Sequence, residues 1–306
     1  MRKWLIILAV LAVVLGGAFF YMRSELLQSE AGGEDITDLD AMYEASEEIK
    51  AAQQKLSEGG LEPAEVVTTL QDGSKKIAIV FDGLPNRPDT ARIVDSLKKH
   101  DAAAVFFAEG QNAADQPETV KIIKDAGIEM GNYTFVGMAS FQKVPQDAQI
   151  SSICRTQKVL NGLTGITPAL FRAPHTDYTD PLLIVLRACG IGHAVKSNAS
   201  LKRGSLHTDA EADAFVATLK PGSILSVMTN SPVYALAMDT GKTNQTPAED
   251  KKPNITDEKP LPEIQPAPLP EEVELLLAAL ERAGWKMEPV GGFRSIRFVP
   301  AATEAQ

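Results

Sequence analysis

Histidine is scarce in this chain. His100, His175, His193 and His207 are the only four among 306 residues, and no two stand at HxH or HxxxH spacing. A metal site built on paired histidines therefore has no sequence signature here. Cysteine is scarcer still: Cys154 and Cys189 occur without a CxxC pair or a lipobox. Both fall in helix-like segments, and a disulfide and two buried thiols are both open. No GxSxG nucleophile elbow is present, which removes the usual signature of a serine hydrolase on an α/β sheet. A concentration of basic charge is also missing. The formal net charge is −10, with nine acidic and four basic side chains in residues 1–50 and 31 against 26 in the rest. Phosphate binding needs a concentrated basic face, so nucleic acid is excluded as a partner, whereas a neutral or cationic glycan is not.

What is present begins at the N-terminus. Arg2 and Lys3 precede an uncharged apolar run from Trp4 to Met22. As a helix it would reach about 28 Å at about 1.5 Å per residue, close to one hydrocarbon core. Basic residues in front and acidic ones from Glu25 onward place the following domain outside the cytoplasm. Residues 1–24 are thus expected to be a single-pass anchor, with a cleaved signal segment as the alternative. Residues 25–74 read as an acidic tether and a helical stalk. Met42, Ile49 and Leu56 recur every seven residues with Ala45 and Ala52 between them, a pattern compatible with a dimer through residues 38–58 or with a helix packed on its own domain.

From Lys75 the pattern alternates strand and helix, which argues for parallel βαβ units. Strands are expected at Ile77–Phe81, Ala103–Ala108, Ile128–Asn132, Ala169–Arg172, Gly192–Lys196 and Ser223–Val227. Helices are expected at Thr90–His100, Pro117–Ala126, Gln146–Leu163, Pro181–Cys189 and Asp209–Leu219. Residues 231–270 are rich in proline and charge and read as a mobile insertion. A leucine-rich helix resumes at Glu271, a last strand follows within Trp285–Val290, and residues 291–306 form a tail.

Four segments in order carry a resemblance: Phe81-Asp82-Gly83-Leu84-Pro85, Gly131-Asn132-Tyr133-Thr134, Arg172-Ala173-Pro174-His175 and Lys220-Pro221-Gly222-Ser223-Ile224-Leu225. Order, spacing and flanks resemble the polysaccharide deacetylase family of metal-dependent carbohydrate deacetylases, over roughly 75–230 and 270–290. The resemblance implies a distorted (β/α) barrel over residues 75–290. It also implies a divalent metal such as zinc held by one aspartate and two histidines, with a second aspartate as general base and a late histidine as general acid.

Mapped residue by residue, the ligand positions read Gly83, Tyr133 and Gly137, and the general-acid motif reads Ser226-Val227-Met228. No metal and no cofactor are expected on this set. Asp82 stands at the base position and Arg172 at the position that supports it. Asn132, Tyr133, Pro174, His175 and Met228 are expected to line the barrel mouth and contact a sugar. Glycoside hydrolysis would need a second acid beside Asp82, Asp177 or Glu109. The expected function is a catalytically degenerate, membrane-anchored, extracytoplasmic deacetylase-like protein that binds or scaffolds cell-wall polysaccharide in a bacterial envelope. The alternatives are an active carbohydrate deacetylase with an altered site, hydrolysing the non-peptide C–N bond of acetylated sugars, and a protein-interaction module.

Overall fold

The computed structural model describes residues 43–69, 74–233 and 268–290. The apolar run Trp4–Met22, the acidic tether, most of the insertion and the tail lie outside them. Among the described residues, no helix is long and apolar enough to cross a membrane.

In chain order the elements are α1 (Ser46–Glu58), β1 (Glu65–Val67), β2 (Lys76–Asp82), α2 (Arg87–Lys99), β3 (Ala104–Ala108), α3 (Gly110–Asp115), α4 (Pro117–Asp125) and β4 (Glu129–Asn132). There follow α5 (Gln146–Thr164), β5 (Leu170–Phe171), α6 (Asp180–Ala188), β6 (His193–Val195), β7 (Ala199–Leu201), α7 (Asp209–Val216), β8 (Ser223–Met228), α8 (Leu269–Arg282) and β9 (Lys286–Met287). Every ladder is parallel. The sheet runs β1-β6-β5-β4-β3-β2-β8-β7, and β9 pairs with the start of β2. This is an α/β fold whose sheet curls into an incomplete barrel. β1 and β7 share no ladder, but the Asn198 side chain spans that gap. It donates to Thr68 O at 2.9 Å and accepts from Ile224 N at 2.9 Å.

The local causes are plain in the chain. β2 is apolar from Ile77 to Phe81 because it is central, with β3 on one side and β8 on the other, and buried on both faces. Helix α2 starts where Asn86 accepts from Asp89 N, with proline in the first turn. Helix α7 starts with a capping box between Thr208 and Glu211. Helix α5 ends at Gly165, whose φ of 78° is the left-handed geometry glycine adopts without penalty.

Side chains alternate across the sheet, and one face forms a single inner layer. Ala78, Val80, Val105, Phe107, Leu170, Val195 and Ile224 lie together there. Phe107 lies so close to Gly131 that a Cβ on the glycine would meet the ring at 2.4 Å. One period of two further along the same strands come Asp82, Glu109, Tyr133, Arg172 and Ser226. That step carries the functional layer to the C-terminal end of the sheet.

Two expectations about the N-terminal part change. Ala45 and Ala52 are buried, and Ile49 and Leu56 are packed, in a cluster with Phe141, Ile150, Cys154, Leu182 and Leu186. The stripe Ala45, Ile49, Ala52 and Leu56 is therefore spent on α5 and α6 of its own domain rather than left free for the dimer expected through residues 38–58, of which 38–42 lie outside the described residues. Nor does the sheet begin at residue 75, because β1 pairs in register with β6, Glu65 opposite His193. Sequence periodicity also passed over the short elements β1, α3 and β7.

Candidate functional site

At the sheet's C-terminal end two buried carboxylates stand at the ends of neighbouring strands, each with different partners. Asp82 is 3% exposed and Arg172 8%. Arg172 Nε donates to Asp82 Oδ1 at 2.6 Å, and Nη2 donates to Oδ2 at 2.9 Å. The remaining guanidinium contacts are to Val195 O at 3.1 Å and Ser197 Oγ at 2.9 Å. Ser226 Oγ adds a third hydrogen bond to the carboxylate, at 2.6 Å on Oδ2. A bidentate arginine fork fixes both position and orientation, so Asp82 is held rather than merely neutralised. Burial alone would lower the pKa of Arg172, but the adjacent Asp82 outweighs it and drives it upward.

Glu109, just beyond β3, is the second buried carboxylate. Its Oε2 accepts from Leu84 N at 2.8 Å and its Oε1 from Asn230 Nδ2 at 3.0 Å. The same Asn230 nitrogen donates to Leu84 O at 2.9 Å. Thr229 and Asn230 reach this point because the chain leaving β8 folds over β2: both backbone amides and the Thr229 hydroxyl donate to Asp82 O, at 3.0, 3.3 and 2.8 Å. Gly83 lies beneath them with φ at 106°, and a Cβ there would meet Thr229 Oγ1 at 2.8 Å and Asn230 Cβ and Nδ2 at 2.9 Å. Gly137 lies on the other side of Glu109. A Cβ there would be 3.3 Å from Glu109 Cγ and 3.7 Å from Tyr133 Cδ1. Asn230 thus stands against Gly83 and Glu109 against Gly137.

Tyr133 is buried in the inner layer. Its phenol is pushed far above the ordinary range, first by burial and then by Asp82 and Glu109, against the opposing pull of Arg172. It stays protonated at any physiological pH. Tyr178 is pushed up to about 12, mainly by burial. Its hydroxyl donates to Val195 O at 3.2 Å and accepts from Ala173 N at 3.3 Å.

The loops above are sewn together. Ala139 N donates to Val233 O at 2.7 Å, and Val233 N to Gly137 O at 3.0 Å. Ser140 N donates to Pro174 O at 3.0 Å, and Phe141 N to Thr176 Oγ1 at 3.0 Å.

Of the residues expected at the mouth, Asp82, Arg172 and Tyr133 do converge. Asn132 does not. It points to the outer face, fully buried, where Nδ2 donates to Ile153 O at 3.0 Å and Oδ1 accepts from Thr134 N at 2.9 Å. Both ends of its amide are committed, so no hydroxyl of a ligand can be served from there. Pro174 is buried, Met228 half-buried, and His175 exposed at a φ of 47°. Ser226 was legible only as a replaced motif position, although its period-two offset from Ile224 aims it at Asp82. Asn230 carries no sequence signal at all, being a polar residue just after a strand.

These donors do not suit a divalent cation. Asp82 is taken by a guanidinium, Glu109 by an amide N–H and a carboxamide, and Asn230 presents its nitrogen rather than its oxygen. Among the described residues, no group of three or more His, Cys, Asp or Glu is placed to hold a metal ion. What the arrangement does is fix buried charge and tie the strand ends to the chain leaving β8.

Residues 69–194 match the family model described as polysaccharide deacetylase. Over 100 residues the chain is 36% identical to a peptidoglycan-N-acetylglucosamine deacetylase of Bacillus cereus, an alignment covering 33% of this chain and 36% of that protein. The chain spans 22% to 36% of the length of the first curated relatives it matches. A family 4 carbohydrate esterase from Streptomyces lividans, solved with acetate, superposes with a TM-score of 0.51 at 20% identity. That match covers 69% of this chain and 90% of the esterase. A mutant of a CE4 family pseudoenzyme from Bacillus anthracis, described as having restored enzymatic activity, gives a TM-score of 0.53 at 18% identity, over 74% and 69% of the two chains. At such identities the likeness speaks for the fold.

Proposed function

We propose that this chain, whose residues 69–194 match the polysaccharide deacetylase family model, is a non-hydrolytic member of that family, binding N-acetylated cell-wall glycan without cleaving it. One observation carries this reading. Asn230 stands against Gly83 and Glu109 against Gly137, hydrogen-bonded to each other, and Gly83, Tyr133 and Gly137 are the three positions to which the family resemblance assigns metal ligands. Hydrolysis by metal-activated water needs an open coordination position on a held ion, and Gly83, Tyr133 and Gly137 do not make the ligand set that would hold one. Asp82 keeps the base position, but its carboxylate serves Arg172 and Ser226. The absent ligands, more than any retained residue, set this chain apart from a hydrolase.

The glycan reading rests on the named activity of the Bacillus cereus relative and on the rim of the sheet's end, where His175 is exposed and Met228 half-buried. An apolar surface beside a hydrogen-bonding group suits a sugar ring. We place the domain outside the cytoplasm on the apolar run Trp4–Met22, as an anchored envelope protein. A second reading, a protein-interaction module, is favoured by one observation: Tyr133 and Asn132, the residues best suited to a sugar, are buried. Titration of chitooligosaccharide and peptidoglycan fragments, in chelator, against the isotope-labelled protein separates the two. Saturable shifts at His175 and Met228 support glycan binding. Their absence at millimolar ligand rejects it in favour of the interaction module.

A further inference from the structure

At the N-terminal end of the sheet, away from the candidate site, an open groove of about 810 Å³ lies beside the C-terminal ends of α7 and α8. Val216, Ala217, Leu219, Pro221 and Trp285 supply its apolar lining. The charges on its rim are answered from within. Arg282 pairs with Asp213 at 2.8 Å and with Asp209 at 3.1 Å. Lys75 Nζ donates to Ala283 O and lies 5.5 Å from the centre of the Trp285 ring. The groove therefore offers an occupant apolar surface rather than unmatched charge.

The chain itself leaves the fold at this end. Val290, the last described residue, is 1% exposed and packs in the inner layer with Ala78 and Ile224, near the starts of β2 and β8. It follows Trp285 by five residues, so the two are at most about 18 Å apart at about 3.6 Å per residue. Gly291 and Gly292 come next, and their backbone freedom lets the chain double back. Phe293, Ile296, Phe298 and Val299 then follow within about 30 Å of chain. The proline-rich insertion is tethered farther away. It joins Val233, which bonds Gly137 and Ala139 at the other end of the sheet, to the start of α8. The 14 residues of α8 set that start about 20 Å from the groove.

We propose that residues 293–299 of this chain dock their apolar side chains in the groove, covering Leu219, Pro221 and Trp285. The short tether from Val290 holds the segment at high local concentration, which favours docking within one chain over capture of a second. The proposal is independent of what the C-terminal end of the sheet binds.

The experiment places p-benzoylphenylalanine at position 298 of the full chain, which is purified, irradiated, digested and mapped by mass spectrometry. The expected products are cross-links within one chain to the peptide carrying residues 216–221 or to Trp285. Ala217→Arg, at an exposed position, fills the groove and should lower their yield about tenfold, the ratio an overpacking penalty of this kind gives. The map of the chain with Ala217 intact decides the matter even where that variant fails to fold. Cross-links formed only between two chains would assign the groove to a second copy and overturn the proposal. Cross-links scattered outside the groove, or an unchanged yield in folded Ala217→Arg, would overturn it as well.

Discussion

The side-chain nitrogen of Asn230 lies 3.0 Å from Glu109 Oε1 and 2.9 Å from Leu84 O, bridging the ends of β2, β3 and β8 with one carboxamide. Glu109 completes the figure by accepting from Leu84 N at 2.8 Å. A buried carboxylate needs donors, and here they come from the backbone and an amide rather than from a cation. The consequence is that the ends of β2, β3 and β8 are tied together at this point.

Asn230→Ala removes a donor from both Glu109 and Leu84. The expected cost is about 1–3 kcal/mol, the penalty of leaving buried acceptors unsatisfied. Urea denaturation should show a lower midpoint at unchanged slope. An unchanged midpoint would mean that water replaces the carboxamide without loss and that the strand ends are not tied by Asn230.

Asp82→Ala leaves Arg172 buried without its carboxylate. Truncating one partner of such a pair costs about 3–5 kcal/mol, and Ser226 loses its acceptor as well. Thermal and chemical denaturation should both show the loss. A variant as stable as the wild type would show that Arg172 finds water and that the fork is ornamental.

Gly83→Asp tests whether the site can be reopened by one residue. The glycine has φ at 106°, and the new Cβ would sit 2.8 Å from Thr229 Oγ1. Forcing a side chain there should cost about 1–3 kcal/mol in backbone strain alone. Calorimetric titration should find no stoichiometric zinc binding. A stable variant that binds zinc one to one would show that the loop after β8 yields easily.

The pH dependence has a defined source on the outer layer, where α2 meets α8. Burial pushes the Glu274 carboxyl up, but hydrogen bonds from Lys99, Ser96 and His100 prevail and hold it at about 2, against an ordinary 4.5. Because the folded value is depressed, this stabilisation is fully present above about pH 4.5 and is lost as pH falls toward about 2. The stability difference between wild type and Glu274→Gln should therefore be largest near neutral pH and shrink across that window. A difference that does not change with pH would contradict the assignment.

Most of the architecture was legible because parallel strands buried on both faces read as unbroken apolar runs, as Ile77–Phe81 does. Asp82, Tyr133 and Arg172 were placed together by the motifs of the resemblance, and in the structure a period of two along their strands puts them on one face. The same period puts Asn132 on the opposite face, against α5, where motif adjacency had suggested a sugar contact. The stripe Ala45, Ile49, Ala52, Leu56 has the spacing of a stalk and of a docked helix alike, and only the partner surface on α5 and α6 distinguishes them. β1 is three residues long, too short for any periodicity to declare itself. Asn230 owes its role to a chain reversal after β8, which no local pattern announces.

The proposed non-hydrolytic character of the domain is open to direct measurement. Its most direct test is acetate release from N-acetylated chitooligosaccharide by the purified full chain with zinc added in excess. A non-hydrolytic domain gives release no faster than in zinc buffer alone and no difference between wild type and Asp82→Ala. Chelator-sensitive acetate release by the wild type that Asp82→Ala abolishes would contradict it.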